Sequence, residues 1–201
     1  MRKVVELYIE ARFPRFYHPK IKRGRSHVIP GQVEDLLAAF FAFNLVSDYE
    51  YFVDQAITTG KTALYPDVAI AKDKKIDNIV DIKMDLGWNR DGFVAFCEEQ
   101  EKKLDDINRK DCFITDGIKK EKALYKFGDD VKYHVVVVSD QNISSEKFER
   151  NMKGVEKLTS VKAYSLSAKL HPNTYNKTID EIIKGMTINN NEFIRLLESV
   201  C

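Results

Sequence analysis

Apolar positions recur at helical spacing in Val4, Val5, Leu7, Tyr8 and Ala11, and Pro14 closes that segment. A second helix is expected over residues 32–45, with Pro30 where a first helical turn tolerates it. After Asp35 this helix is apolar almost all round (Leu36, Leu37, Ala38, Ala39, Phe40, Phe41), which predicts heavy burial. Aromatic and β-branched residues then predict strands over 49–57, 65–71 and 76–84, and the charged run Lys72-Asp73-Lys74-Lys75 is the turn between the last two. Beyond Gly87, the segment 91–110 carries Phe93, Cys97, Gln100, Leu104 and Ile107 on one helical stripe. The unbroken run Val135-Val136-Val137-Val138 within 133–138 marks a central strand covered on both faces. The tail predicts a short helix over 145–153, a strand over 161–167 and a closing helix over 191–199.

This order predicts one α/β domain over residues 1–201, with its core at about 30–140. A three-strand antiparallel meander and a fourth strand after a crossover helix form a mixed central sheet, flanked by helices. The apolar share of 44% and charged share of 31% are those of a globular chain, not a disordered or fibrous one. The longest apolar run, from Leu36 to Val46, is broken by Asn44 and too short for a membrane span. No long apolar stretch follows the basic pair Arg2-Lys3, so no signal peptide is expected. Cys97, Cys112 and Cys201 form no CxxC pair, which suits a reducing, cytoplasmic setting.

Net charge changes the picture only through its distribution. The total is +1, yet Arg12, Arg15, Lys20, Lys22, Arg23 and Arg25 follow one another with no acid among them and with Phe13, Phe16, Tyr17 and His18 interleaved. Basic groups bind phosphates and aromatic planes stack on bases, so this stretch is a candidate nucleic-acid contact; a solvated loop is the other reading. The two separate in solution. Replacing Lys22, Arg23 and Arg25 should weaken DNA binding and flatten its salt dependence, whereas an unchanged slope in a salt titration means the loop merely faces solvent.

The segment with the most chemistry is Tyr65-Pro66-Asp67-Val68-Ala69-Ile70, the charged turn, then Ile79-Val80-Asp81-Ile82-Lys83-Met84. Strand alternation puts Asp81 and Lys83 on one face and Val80, Ile82 and Met84 on the other. Folding about the turn sets Ala71 opposite Asp77, Ala69 opposite Ile79 and Asp67 opposite Asp81; a one-residue slip would turn Asp67 to the other face. Facing carboxylates repel unless something positive lies between them, and a hard divalent cation such as Mg²⁺ is one answer. Lys83 is then placed to orient water or offset charge on a phosphate. A solvated face carrying Asp and Lys is the plainer alternative. Elsewhere the signals are weaker. Gly60-Lys61-Thr62 lacks the upstream glycine of a phosphate-binding loop, Gln55 standing there, so no nucleotide cofactor is expected. The four histidines have no zinc-ligand spacing.

Pro66-Asp67 followed by Asp81-Ile82-Lys83, in this order of elements, resembles the PD-(D/E)xK motif of the restriction-endonuclease-like nuclease superfamily. The resemblance implies a restriction-endonuclease-like core. It implies metal-dependent phosphodiester hydrolysis with Asp67, Asp81 and the Ile82 carbonyl as Mg²⁺ ligands and Lys83 as the catalytic lysine. Many members carry a further acid on the first core helix, and Glu34 occupies that place; an acid favouring the helix dipole is the equal alternative. Some members carry QxxxY on the following helix, but Leu104 stands where Gln100 would need its tyrosine. Asn89 and Arg90, after Trp88, either touch DNA or form the turn into the next helix. Among superfamily roles the length most resembles a type II restriction endonuclease acting on double-stranded DNA as a homodimer. Junction resolution, repair or toxin activity shares the same site, and a non-catalytic DNA-binding or protein-interaction module is the competing class.

Overall fold

The computed structural model describes residues 1–12, 28–45, 48–60 and 62–201. Pro14 and the basic candidates Arg15, Lys20, Lys22, Arg23 and Arg25 lie outside them. Arg12, the first of that run, is described and is an anchor: its guanidinium donates to the Thr174 carbonyl (2.8 Å) and the Asn173 side chain (3.2 Å) and lies 4.4 Å from the Tyr175 ring centre.

Helix α1 (Arg2–Glu10) buries Val4, Val5, Leu7 and Tyr8, the stripe its spacing predicts. Helix α2 (Pro30–Asn44) begins on the proline, whose missing N–H has no partner to lose there. Its burial departs from expectation. Only the face with Val33, Leu37, Ala38 and Phe41 is covered, and Phe43 is 88% exposed. An all-round apolar helix needs neighbours on every side; here the sheet covers one face, α1 and the chain's closing helix cover Leu36 and Phe40 in part, and the side carrying Phe43 is left to solvent.

The single strand expected over 49–57 is two, β1 (Tyr49–Val53) and β2 (Ala56–Thr59). Asp54 between them is left-handed at φ 49°, a conformation short polar residues tolerate, and the chain turns there. Strand β3 (Thr62–Leu64) pairs back on β2. Strands β4 (Val68–Lys72) and β5 (Lys75–Lys83) form the expected hairpin, with Asp73 and Lys74 both at positive φ, as tight hairpin turns favour. Ala69 faces Ile79 as predicted, but Ala71 faces Ile76 rather than Asp77. Asp77 is the extra residue of a bulge near the turn, so the shift does not reach the acidic end.

Helix α3 (Phe93–Ile107) buries the predicted stripe of Phe93, Cys97, Gln100, Leu104 and Ile107. Strand β6 (Asp111–Thr115) was not anticipated, and β7 (Lys122–Val137) is far longer than the strand expected over 133–138. The first part of β7 pairs antiparallel with β6. Its second part runs parallel to β5 on one edge and to β8 (Val161–Ser165) on the other. Between them, α4 (Ser145–Val155) is capped by Ser144, whose hydroxyl accepts from the Lys147 N–H. The two-residue strands β9 (Ser167–Ala168) and β10 (Thr187–Ile188) flank α5 (Ile179–Gly185), and α6 (Asn190–Val200) closes the chain.

The result is a mixed sheet ordered β1-β4-β5-β7-β6-β2-β3, with β8 also on β7 and helices on both faces. Strands β1, β4 and β5 are antiparallel neighbours, but β2 and β3 interrupt the chain between β1 and β4, so they are no simple meander. One face packs Val68, Ile70, Val80, Val136 and Tyr164 against α2 and α6. The other packs Ala69 and Ile79 against Leu104 and Ile107 of α3, and Val135 and Val137 against Phe93 of α3 and Val155 of α4. Val135 to Val138 are at most 1% exposed, each worth about 1.5–3 kcal/mol of burial, which holds the C-terminal end of β5 rigid beside them. Among the described residues no helix is long and apolar enough to cross a membrane.

Candidate functional site

The end of β5 gathers the predicted chemistry. Asp81 and Lys83, two apart on a strand, project on the α3 face, and Lys83 Nζ lies 2.8 Å from Asp81 Oδ1 and 2.6 Å from Oδ2. Asp81 is only 8% exposed, and its Oδ2 has no hydrogen-bond partner among the described residues. The lysine contact to that oxygen is short but off the hydrogen-bond direction. The Lys83 ammonium also sits 5.6 Å from the Trp88 ring centre and 5.5 Å from that of Phe96. A cation held by a carboxylate and two aromatic faces is fixed in place rather than sweeping through solvent.

Asp67 stands one residue before β4, and its Oδ2 accepts the Ile82 N–H at 2.5 Å. The hairpin register, continued from Val68 opposite Val80, sets it across from Asp81. Burial first, then the charge of Asp81, a side-chain hydrogen bond to it and the charge of Glu34, push its carboxyl up to about 7 against the lowering effect of the Ile82 N–H. A strand residue sends its N–H and C=O to the same edge, so the Ile82 carbonyl leaves β5 on the Asp67 side as well. The described β4–β5 pairing ends at Val68 and Val80, short of that carbonyl.

Glu34 reaches this region from the start of α2, on the other side of the sheet. Its carboxyl is raised by burial, then by Asp54, Asp35 and Asp81, with Lys83 opposing. Asp54 is the residue that sequence reasoning missed. Its N–H donates to the Asp67 carbonyl at 3.0 Å, tying the end of β1 to the first acid of the motif. The one signal for it is an Asp between two β-rich segments, a common place for a turn.

The remaining candidates are dispersed. Asn89 follows β5 in a turn closed by its own N–H on the Leu86 carbonyl (3.2 Å), and its amide packs against Gly92 at the start of α3. That geometry favours the turn reading for Asn89. Arg90 is exposed, while its carbonyl accepts from the Asn151 amide of α4 at 3.0 Å. Lys20, Lys22, Arg23 and Arg25 lie outside the described residues.

Among the described residues no three His, Cys, Asp or Glu side chains converge to hold a metal. The donors at hand are the Asp67 and Asp81 carboxylates and the Ile82 carbonyl. All are oxygens, which suits a hard cation keeping several waters, and the buried Asp81 oxygen without a fixed donor is open to such a cation or, in its absence, to the proton of Asp67. Family models, curated proteins and solved structures contain no match to this chain.

Proposed function

We propose that this protein is a Mg²⁺-dependent endonuclease of the PD-(D/E)xK type that hydrolyses phosphodiester bonds of double-stranded DNA. The reading is that of a type II restriction endonuclease working as a homodimer. The observation that carries it is the convergence of Asp67, Asp81 and Lys83 at one end of the β4–β5 hairpin, with a buried Asp81 oxygen lacking a hydrogen bond among the described residues. Two acids facing across strands destabilise the fold unless they serve something, and an acidic pair with a fixed ammonium serves phosphate chemistry.

In this reading Asp67, Asp81 and the Ile82 carbonyl hold the cation, which supplies Lewis-acid stabilisation of phosphate charge and a more acidic water. The chain's own groups do the rest. The Ile82 N–H orients the Asp67 carboxyl group, whose other partner is Asp81. Lys83, fixed by Asp81, Trp88 and Phe96, presents positive charge to the phosphate oxygen or leaving group. Glu34 and Asp54 add negative potential that favours a cation over bare phosphate at the same spot.

The test is plasmid digestion. Wild type should nick or linearise supercoiled DNA with Mg²⁺ and leave it intact in chelator, and Lys83→Ala should slow the reaction by about a hundredfold or more. Discrete fragments support a restriction enzyme. If wild type and Lys83→Ala leave plasmids of varied sequence equally intact, the nuclease reading is rejected.

A further inference from the structure

A half-open hollow of about 230 Å³ lies on the same sheet face as Asp81 and Lys83, between the segment Tyr65–Pro66 and helix α3. Pro66 is joined directly to Asp67. Ile79 lines the hollow and precedes Asp81 by two strand positions, roughly 7 Å along β5. Tyr133 forms another wall, and Gln100 and Lys103 line it from α3. The hollow thus lies next to the proposed catalytic group, joined to it through Pro66 and Ile79.

Its lining selects for a particular chemistry. Gln100 is 9% exposed and faces the hollow, yet its side chain makes no hydrogen bond among the described residues. Its amide atoms are not closed off from solvent, and with an acceptor and donors left uncommitted they complement a ligand that both donates and accepts. Lys103 is already committed to Glu99 at 2.8 Å, which disfavours a phosphate as the occupant. The other walls are apolar or aromatic. At the rim Tyr65 is 72% exposed, a large aromatic face left in solvent. The volume is below the range of about 300–1,000 Å³ typical of drug-sized ligands, and suits one flat ring system.

We infer that this hollow receives a single unpaired nucleobase of the DNA strand whose phosphate lies at Asp81, with Gln100 reading its hydrogen-bonding edge and Tyr65 stacking over it. The inference rests on the nuclease reading and adds to it a preference for DNA carrying a mismatched, bulged or readily extruded nucleotide beside the cleaved bond. Unpaired bases enter such a pocket at less cost than paired ones, because no stacking or pairing has to be broken first.

The experiment compares wild-type cleavage, in Mg²⁺, of three duplexes alike except at one position: fully paired, carrying one unpaired nucleotide, and carrying that nucleotide as an abasic analogue. The unpaired base should accelerate cleavage about tenfold or more over its abasic copy, within the range that base–aromatic stacking supplies. Gln100→Leu and Tyr65→Ala should each bring that ratio close to one, through KM. Tyr65 is on the surface, so its variant keeps the test open if Gln100→Leu fails to fold. A ratio near one in wild type, or a ratio that the folded variants leave untouched, overturns the pocket while the nuclease reading stands. If wild type cuts none of the three and, like Lys83→Ala, also leaves plasmids of varied sequence intact, both readings fall together.

Discussion

Asp67→Asn is expected to abolish cleavage, by about a hundredfold or more, while raising the melting temperature of the metal-free protein at pH 8. The two effects have one cause. Burial and the neighbouring acids raise the Asp67 carboxyl from 3.8 to about 7, so the fold prefers it protonated. The associated stability is fully present below the unfolded value and is lost as pH rises through the folded one. At pH 8 the wild-type protein therefore carries an unfavourable carboxylate, which asparagine removes while still accepting the Ile82 N–H. Allowing for the partial exposure of the group, the gain is on the order of 1–2 kcal/mol, or roughly 2–6 °C. Calorimetry in chelator at pH 4 and pH 8 checks the sign. The variant's advantage should be absent at the lower pH and present at the higher one. A variant that melts below wild type at pH 8 would show that no unfavourable charge resides there. Such a charge is what a cation site stores, and Mg²⁺ should raise the wild-type melting temperature at pH 8 and leave that of Asp67→Asn nearly unchanged.

Acid should unfold the protein through His134, and His134→Gln should blunt that response. His134 is fully buried on the α6 face of the sheet, bonded through Nε2 to Asn78 Oδ1 (2.9 Å) and through Nδ1 to the Tyr164 hydroxyl (3.1 Å). Asn78 uses its amide N–H on the Val200 carbonyl (3.2 Å), so its oxygen must accept and Nε2 must carry the proton. Tyr164 in turn lies 2.6 Å from the Ser199 hydroxyl, so one neutral imidazole links β5, β7 and β8 to α6. Burial first, and the Lys132 charge second, lower its pKa from 6.5 to about 3. With the folded value depressed, the unfolded chain binds the proton more readily, and stability falls as pH drops from about 6.5 towards 3. The full loss is on the order of 3–5 kcal/mol. Glutamine offers an N–H and an oxygen but no titration, so it should cost about 1–2 kcal/mol at pH 7 and flatten the slope below it. Urea unfolding at pH 7, 5.5 and 4 measures this. Asp67 pulls the other way in the same window, so the comparison belongs in the Asp67→Asn background. Equal slopes with and without His134 would mean another group drives acid unfolding.

Much of the site was legible because its determinants are local. The charged turn at Asp73-Lys74, the alternation of Val80, Asp81, Ile82 and Lys83, and the pairing of Ala69 with Ile79 involve residues close together in the chain. The stripe on α3 was readable for the same reason. The first part of β7 was not. Gly128-Asp129-Asp130 has the composition of a turn, yet the strand continues through it. A Cβ at Gly128 would collide with the Asp77 side chain, so the glycine admits the β5 bulge instead of ending β7. Likewise, Asp54 hints at a turn in the run from Tyr49 onwards, but nothing local says that β1 and β2 pair at different places in the sheet.

Taken alone, the order of residues determined the helices with one apolar stripe, the β4–β5 hairpin and the common face of Asp81 and Lys83, since backbone geometry and side-chain alternation act over a few residues. The tertiary structure alone decided the approach of Glu34 and Asp54 to Asp67, the neutral His134 link to α6, and the hollow beneath Tyr65. Those depend on contacts between segments far apart in the chain, whose burial and charge exist only once the sheet has closed around them.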